Sequence, residues 1–329
     1  MRLVLVAAFA LLVGTAAQAA GGRVETVATP ARVAAVETVD GSIDVNAGGL
    51  WYRLTVGDKG PALSFLDDGP KIERPEGALP GSRVATGTGD IARAWLAEPT
   101  DRDDHGILGN RIEAGALVIV RRDGVHQTLK LKPDAVFENL DPRIADLDGD
   151  GHDEVVLIKS SLTQGSSLAV IAFRKNRYEI VAETPANGAP RRRLVVAGVA
   201  GFTGAAGKQI AIVRQPHLIG ELQLWSYDGR RLRQLAAMTG AASHIAGASS
   251  VDMDAVADFD GDGAADLAVP SLDRTRLRFI GFRPQAHEIA SVALPAAAAT
   301  GMAVLTEGTK RVVALGLADG SLVVVRPIP

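Results

Sequence analysis

The chain of 329 residues has no cysteine. That excludes disulfides as a source of stability, and with them thiolate metal sites and cysteine nucleophiles. Aromatic residues make up only 4% of the sequence, so the core has to be built from Val, Ile, Leu and Ala. Neither sign of charge is in excess: 35 Lys and Arg stand against 38 Asp and Glu, a net charge of −3. This balance gives no basis for a nucleic-acid partner, which demands a positive surface. Apolar runs of membrane-spanning length are also missing. The run Leu3 to Val13 falls short of the ~20 residues needed to cross a bilayer.

What is present begins with that run. Met1 and Arg2 precede it and Ala17-Gln18-Ala19-Ala20 follows it. A positive start, an apolar stretch and an A-x-A ending make up a secretory signal peptide. Residues 1–20 are therefore expected to be removed, which leaves 21–329 as a single domain with no membrane insertion, periplasmic or secreted. Losing Arg2 takes the net charge from −3 to −4.

The remainder repeats. "DPRIADLDGDGHDEVVLI" (141–158) and "MDAVADFDGDGAADLAV" (253–269) superpose without a gap, placing Asp146, Asp148, Asp150 and Glu154 on Asp258, Asp260, Asp262 and Asp266. "VAGFTGAAGKQIAIV" (199–213) fits the same frame, with Phe202 on Phe259 and Gly204 on Gly261, but has no carboxylate in the loop. A second feature keeps the period. Pairs of alternating apolar segments turn at Asp123, Lys175, Asp228 and Arg283, the pattern of β-hairpins. Each unit of about 50 residues reads as strand, loop, strand, link and hairpin, the make-up of a four-stranded propeller blade. The fold expected is an all-β propeller, clearly repetitive over 85–329. The stretch 21–84 forms either an N-terminal blade or the strands that close the ring. Six blades are expected, with five as the alternative.

Carboxylates at alternate positions repel by roughly 1 kcal/mol per pair in water and more in protein. A cation offsets this: Ca²⁺ takes six to eight oxygens from carboxylates, a carbonyl and water. Two structural Ca²⁺ sites are therefore expected. Asp146, Asp148, Asp150 and Glu154 with the carbonyl of His152 form one, and Asp258, Asp260, Asp262 and Asp266 with the carbonyl of Ala264 form the other. An EF-hand is disfavoured, because the twelfth loop positions, Leu157 and Val269, lie in strand-like runs rather than at the start of a helix.

"DLDGDGHDEVVLI" and "DFDGDGAADLAV" resemble the calcium loops of FG-GAP and VCBS-type repeats, found in integrin alpha-subunit propellers and many exported bacterial proteins. No Phe-Gly pair precedes the loops, so the likeness is to the looser VCBS-type variant. The resemblance implies a propeller in which the ions are structural and do no chemistry.

Strands that alternate in direction put the acidic loops and hairpin turns on one face, and the remaining loops on the other. The second face collects Arg102, His105, Gln164, Arg191, Arg214, His217, His244, Asp273 and Arg274 as candidate partner-binding residues, since recognition resides on loops held by a rigid scaffold. One of its loops is long: 33 residues separate Asp90 from Asp123, against 21 from Glu154 to Lys175. No G-x-S-x-G or H-E-x-x-H motif is present. The expected function is a binding module for a protein or glycan, and the alternative is a hydrolase or lyase using the same face.

Overall fold

A computed structural model describes residues 17–19, 21–39, 41–57, 60–103, 112–190, 192–216, 218–245, 253–307 and 310–328. These contain no helix. Their strands sort into consecutive antiparallel groups. Blade 1 is Val33–Val39, Ser42–Ala47, Leu50–Gly57 and Gly60–Leu66; blade 2 is Ala85–Thr86, Ile91–Thr100, Glu113–Arg121 and His126–Lys130. Blade 3 is Arg143–Ala145, Glu154–Ser161, Gly165–Arg174 and Arg177–Glu183. Blade 4 is Leu194–Ala200, Gln209–Arg214, Glu221–Tyr227 and Leu232–Met238, and blade 5 is Ala255–Ala257, Asp266–Pro270, Arg276–Gly281 and His287–Ala293. Blade 6 takes three strands from the C-terminus, Ala298–Glu307, Lys310–Leu317 and Leu322–Pro327, and a fourth from Gly22–Val27.

The stretch 21–84 thus does two things. Gly22–Val27 pairs antiparallel with Leu322–Pro327 and ties the two ends of the chain into one sheet, with Ala17–Ala19 adding a short fifth strand. Residues 33–66 form a complete sheet of their own. The innermost strands of all these sheets face a common channel of about 1000 Å³, lined by Val36, Thr86, Ile144, Val199, Val256 and Met302. The fold is a β-propeller.

Position within the blade explains the hydrophobic pattern. The second strands, "EVVLI" of blade 3, "QIAIV" of blade 4 and "DLAVP" of blade 5, are buried at every residue. Neighbouring blades cover both faces of such strands, so they read as unbroken apolar runs. The outermost strand Leu232–Met238 has no fully buried residue and exposes Arg233, Gln234, Leu235 and Ala237, the three in a row falling where a bulge shifts its register. The Ala135–Phe137 strand pairs with both Glu113–Arg121 and Glu154–Ser161 and fuses blades 2 and 3 into one sheet, with Phe137 fully buried at the junction.

Apolar clusters fill the spaces between blades 2 and 3, 3 and 4, 4 and 5, 5 and 6, and 6 and 1. Among the described residues no such cluster spans blades 1 and 2. The face that blade 2 presents there carries Trp95, Ala97, Ala116 and Val120, whereas blade 1 presents the Asp44–Arg53 ion pair. The connecting segment 67–84 fills the gap. Ala78 bridges Ala97, and Ala85 then pairs with Ala94. Between them Pro80, Gly81, Arg83 and Val84 swing into the channel. There the Arg83 guanidinium meets Glu37 of blade 1 at 3.1 Å, and the Arg83 amide donates to Asp141 at 2.8 Å.

Candidate metal centres

Both acidic loops join the first and second strands of a blade, at the same corner of blades 3 and 5. Each needs its glycines at positive φ: Gly149 and Gly151 at 81° and 89°, Gly261 and Gly263 at 82° and 84°. A side chain at these positions is penalised by about 1–2 kcal/mol. The hydrogen bonding is nearly the same in the two loops. Asp146 accepts from the amides of Gly149 (2.7 Å) and Gly151 (3.1 Å), and Asp258 accepts from Gly261 (2.7 Å) and Gly263 (3.1 Å). Asp148 accepts from the Asp150 amide and Asp260 from the Asp262 amide, at 3.2 and 3.0 Å. The ninth position points inward: Glu154 accepts from the Leu147 amide at 2.9 Å and Asp266 from the Phe259 amide at 2.7 Å.

Carboxylate oxygens of Asp146, Asp148 and Glu154 lie within 4.8 Å of one another, as do those of Asp258, Asp260 and Asp262. Oxygens bound to one Ca²⁺ at about 2.3–2.6 Å are separated by at most about 5 Å, so the donor sets fit such an ion in size and chemistry. Asp150 and Asp266 are the members of the expected sets that lie outside these tight groups. Asp150 accepts from the His152 amide at 2.8 Å. The His152 ring is exposed and stands 3.4 Å from Asp90. In the second loop the Ala264 amide donates to Asp262 at 2.7 Å.

Burial and crowding raise the proton affinity of the ninth-position acids. Loss of solvent, then the neighbouring aspartates, push Glu154 to about 8, and the same causes push Asp266 to about 6. Asp148 is raised as well, first by burial. A divalent ion would supply the positive charge that these carboxylates lack.

The loops are also joints. Gly229, in the hairpin turn of blade 4, sits so close to the blade 3 loop that a Cβ there would lie 2.8 Å from Asp148 Oδ2. The carboxylate-free loop of blade 4 packs against the same loop through the Lys208 amide, which donates to the Leu147 carbonyl at 3.2 Å. Arg283, from the hairpin turn of blade 5, lies 3.7 Å from Asp262 and 3.5 Å from where a Cβ on Gly204 would stand. An ion in either loop would therefore act on the contact between blades and not on one turn alone.

Three residues of this face were not singled out from sequence. Gln209 occupies the frame of Asp266, and its amide oxygen accepts from the Thr203 amide at 3.0 Å. The inward bond survives there without a charge, and the aligned frame itself carried the signal. Asp153, 5% exposed, accepts from the amides of Gly89 (3.0 Å) and Ile91 (3.2 Å), linking blade 3 to the first loop of blade 2. In that loop Arg122 donates to the carbonyls of Gly89 (2.6 Å) and Gly87 (2.5 Å).

Of the candidate residues of the opposite face, six lie among the described residues. His105, Arg191 and His217 lie outside the described residues. His244 is 1% exposed, which corrects its placement on an open lip: the blade 4–5 link packs it inside. Asp273 closes its own turn, accepting from Ser271 and Thr275 side chains at 2.5 and 2.9 Å. Arg274 donates to the Ala298 carbonyl at 2.9 Å, and Arg214 pairs with Glu221 at 3.4 Å. Nε and Nη2 of Arg102 are buried and make no hydrogen bond among the described residues. Gln164 is exposed. The same face exposes Leu218 (72%), Ile219 (53%) and Leu272 (38%), in corresponding loops of blades 4 and 5.

No family model matches the chain, and no curated protein matches it. Among solved structures it is similar to BBS1N, crystallised in complex with ARL6DN, at 8% identity and a TM-score of 0.44, covering 87% of this chain and 74% of that one. It is also similar to luciferin-regenerating enzyme at 11% identity and a TM-score of 0.43, covering 94% of this chain and 96% of that one.

Proposed function

We propose that the chain is an exported, calcium-stabilised β-propeller that serves as a binding module for a protein or glycan through the face opposite its acidic loops. The observation that carries the calcium reading is the likeness of the two loops: each, at the same corner of its blade and through matching amide bonds, gathers three carboxylates, of which the first two occupy corresponding positions. Asp146, Asp148 and Glu154 would hold one ion, and Asp258, Asp260 and Asp262 the other. The ion's role there is to neutralise and tether. Leu218, Ile219 and Leu272 support the binding reading, because exposed aliphatic side chains grouped on one face mark interaction surfaces.

Calorimetric titration with Ca²⁺ is expected to give two sites per chain, and one after either Asp148→Ala or Asp260→Ala. For the binding face, the immobilised protein should retain a partner from an envelope extract in calcium buffer and lose it when Leu218 and Leu272 are both replaced by Asp. Retention that ignores those substitutions overturns the assignment of the face.

A further inference from the structure

On the face away from the acidic loops, blades 2, 3 and 4 meet over a buried group of charges. Glu113 opens the third strand of blade 2, and Glu138 follows the Ala135–Phe137 strand that fuses blades 2 and 3. Arg193 precedes the first strand of blade 4. All three are nearly inaccessible, at 1%, 1% and 3% exposure. Glu138 is satisfied: it accepts from Ser166 Oγ at 3.0 Å and lies 3.7 Å from Arg193 Nη1. Glu113 is not, since both of its carboxyl oxygens are buried and make no hydrogen bond among the described residues.

Among the described residues Glu138, Asp103 and Arg193 act on Glu113 directly. The Arg102 guanidinium stands beside Gly115, two residues further along the same strand, 3.4 Å from where a Cβ on Gly115 would lie. Among the described residues, Glu138 and Asp103 act on Glu113 as anions and Arg193 as a cation, so its surroundings carry an excess of negative charge that one proton on Glu113 lowers. That proton costs less on Glu113 than on Glu138, because Glu138 has donors to stabilise its anion and Glu113 has none among the described residues, and an unpaired carboxylate is far more costly to bury than a neutral carboxyl.

We propose that Glu113 is a proton-holding clasp at the junction of blades 2, 3 and 4, closed while Glu113 is neutral and loosened when it ionises. Burial first, then the Glu138 charge, raise its pKa to about 8 against the favourable pull of Arg193. The sign follows from linkage. Between about pH 5 and 8 the folded chain holds a proton at Glu113 that the unfolded chain has released, so folding loses about tenfold in its equilibrium constant for each pH unit gained across that window. Below it the contribution is fully present. Above it the contribution is gone, and the loops carried by Glu113 and Arg193 are held less firmly.

The test compares the parent chain with Glu113→Gln, with stability measured by denaturant titration from pH 5 to 9 in calcium-saturated buffer. Any titration in the acidic loops is common to both chains and cancels in the difference. The expected result is a gap that widens in favour of Glu113→Gln by close to tenfold in folding constant per pH unit, levelling off near pH 8. A gap independent of pH overturns the clasp. Should the variant fail to fold, infrared difference spectra of a Glu154→Gln chain with ¹³C-labelled glutamate, from which the other glutamate raised to about 8 has been removed, decide instead: a protonated glutamate carboxyl band that persists at pH 7 and disappears near pH 8 supports the proposal, and its absence at pH 7 overturns it.

Discussion

Removing calcium is the perturbation that reaches furthest into this molecule. In each loop three carboxylate oxygens stand within 4.8 Å of one another, a repulsion of roughly 1 kcal/mol per pair in water and about 3 kcal/mol at the effective dielectric of a protein surface. Extracellular calcium modules bind at about 10⁻⁴ to 10⁻³ M. At about 10 mM Ca²⁺ the ion is then ten- to a hundredfold above its dissociation constant, which is worth about 1.4 to 2.7 kcal/mol per site. Two independent sites give about 3 to 5 kcal/mol. An unfolding entropy of about 2.1 cal/mol/K per residue over roughly 300 residues amounts to about 0.6 kcal/mol/K. Replacing calcium by EGTA should therefore lower Tm by about 5 to 9 °C. Differential scanning calorimetry reads this directly, and each single loop variant, Asp148→Ala or Asp260→Ala, should retain about half the shift. Equal melting temperatures in calcium and in EGTA would falsify the cage reading. So would a full shift that persists in the double variant.

Three further outcomes are expected. Gly229→Ala places a side chain at φ 81° against Asp148 Oδ2, costing about 1–2 kcal/mol for the left-handed backbone alone; its denaturation penalty should shrink in an Asp148→Ala background, where the contact is relieved. Gln209→Leu removes the acceptor of the Thr203 amide and should cost about 1–3 kcal/mol by urea titration, with no dependence on calcium. Phe202→Ala deletes a fully buried ring that meets Phe282 edge-on at 5.2 Å between blades 4 and 5, and should lower stability by about 3–5 kcal/mol.

Much of this architecture can be read from the chain because its cues are local. An Asp-rich turn, the buried strand after it and the hairpin that follows are all written within some 50 consecutive residues, and their recurrence locates blades 2 to 5 without reference to contacts. Blade 1 carries no acidic loop, so periodicity could not separate it from the closing strand. The structure divides 21–84 between both roles, since Gly22–Val27 completes the three-stranded C-terminal sheet. The binding face was far less legible. Whether Asp273, Arg274 or His244 is free to meet a partner depends on what the neighbouring blade brings up to it. Asp273 is consumed by Ser271 and Thr275 and His244 is packed away. The Glu113 group was invisible for the same reason: its members lie far apart in sequence and meet only through the docking of three sheets.

The joint between blades 1 and 2 gives the ring an asymmetry that its repeating sequence hides. Elsewhere, parting two blades means wetting an apolar wall. Here the apolar face of blade 2 is covered by the connecting segment, and what reaches blade 1 is the Arg83–Glu37 pair, an ion pair that water compensates well. The hoop therefore has a natural clasp line. The sheet from Val33 to Leu66 is thus sealed to blade 6 by an apolar seam and reaches blade 2 only through the inserted segment 67–84, so the ring is closed there by a wedge and not by the direct meeting of two sheets.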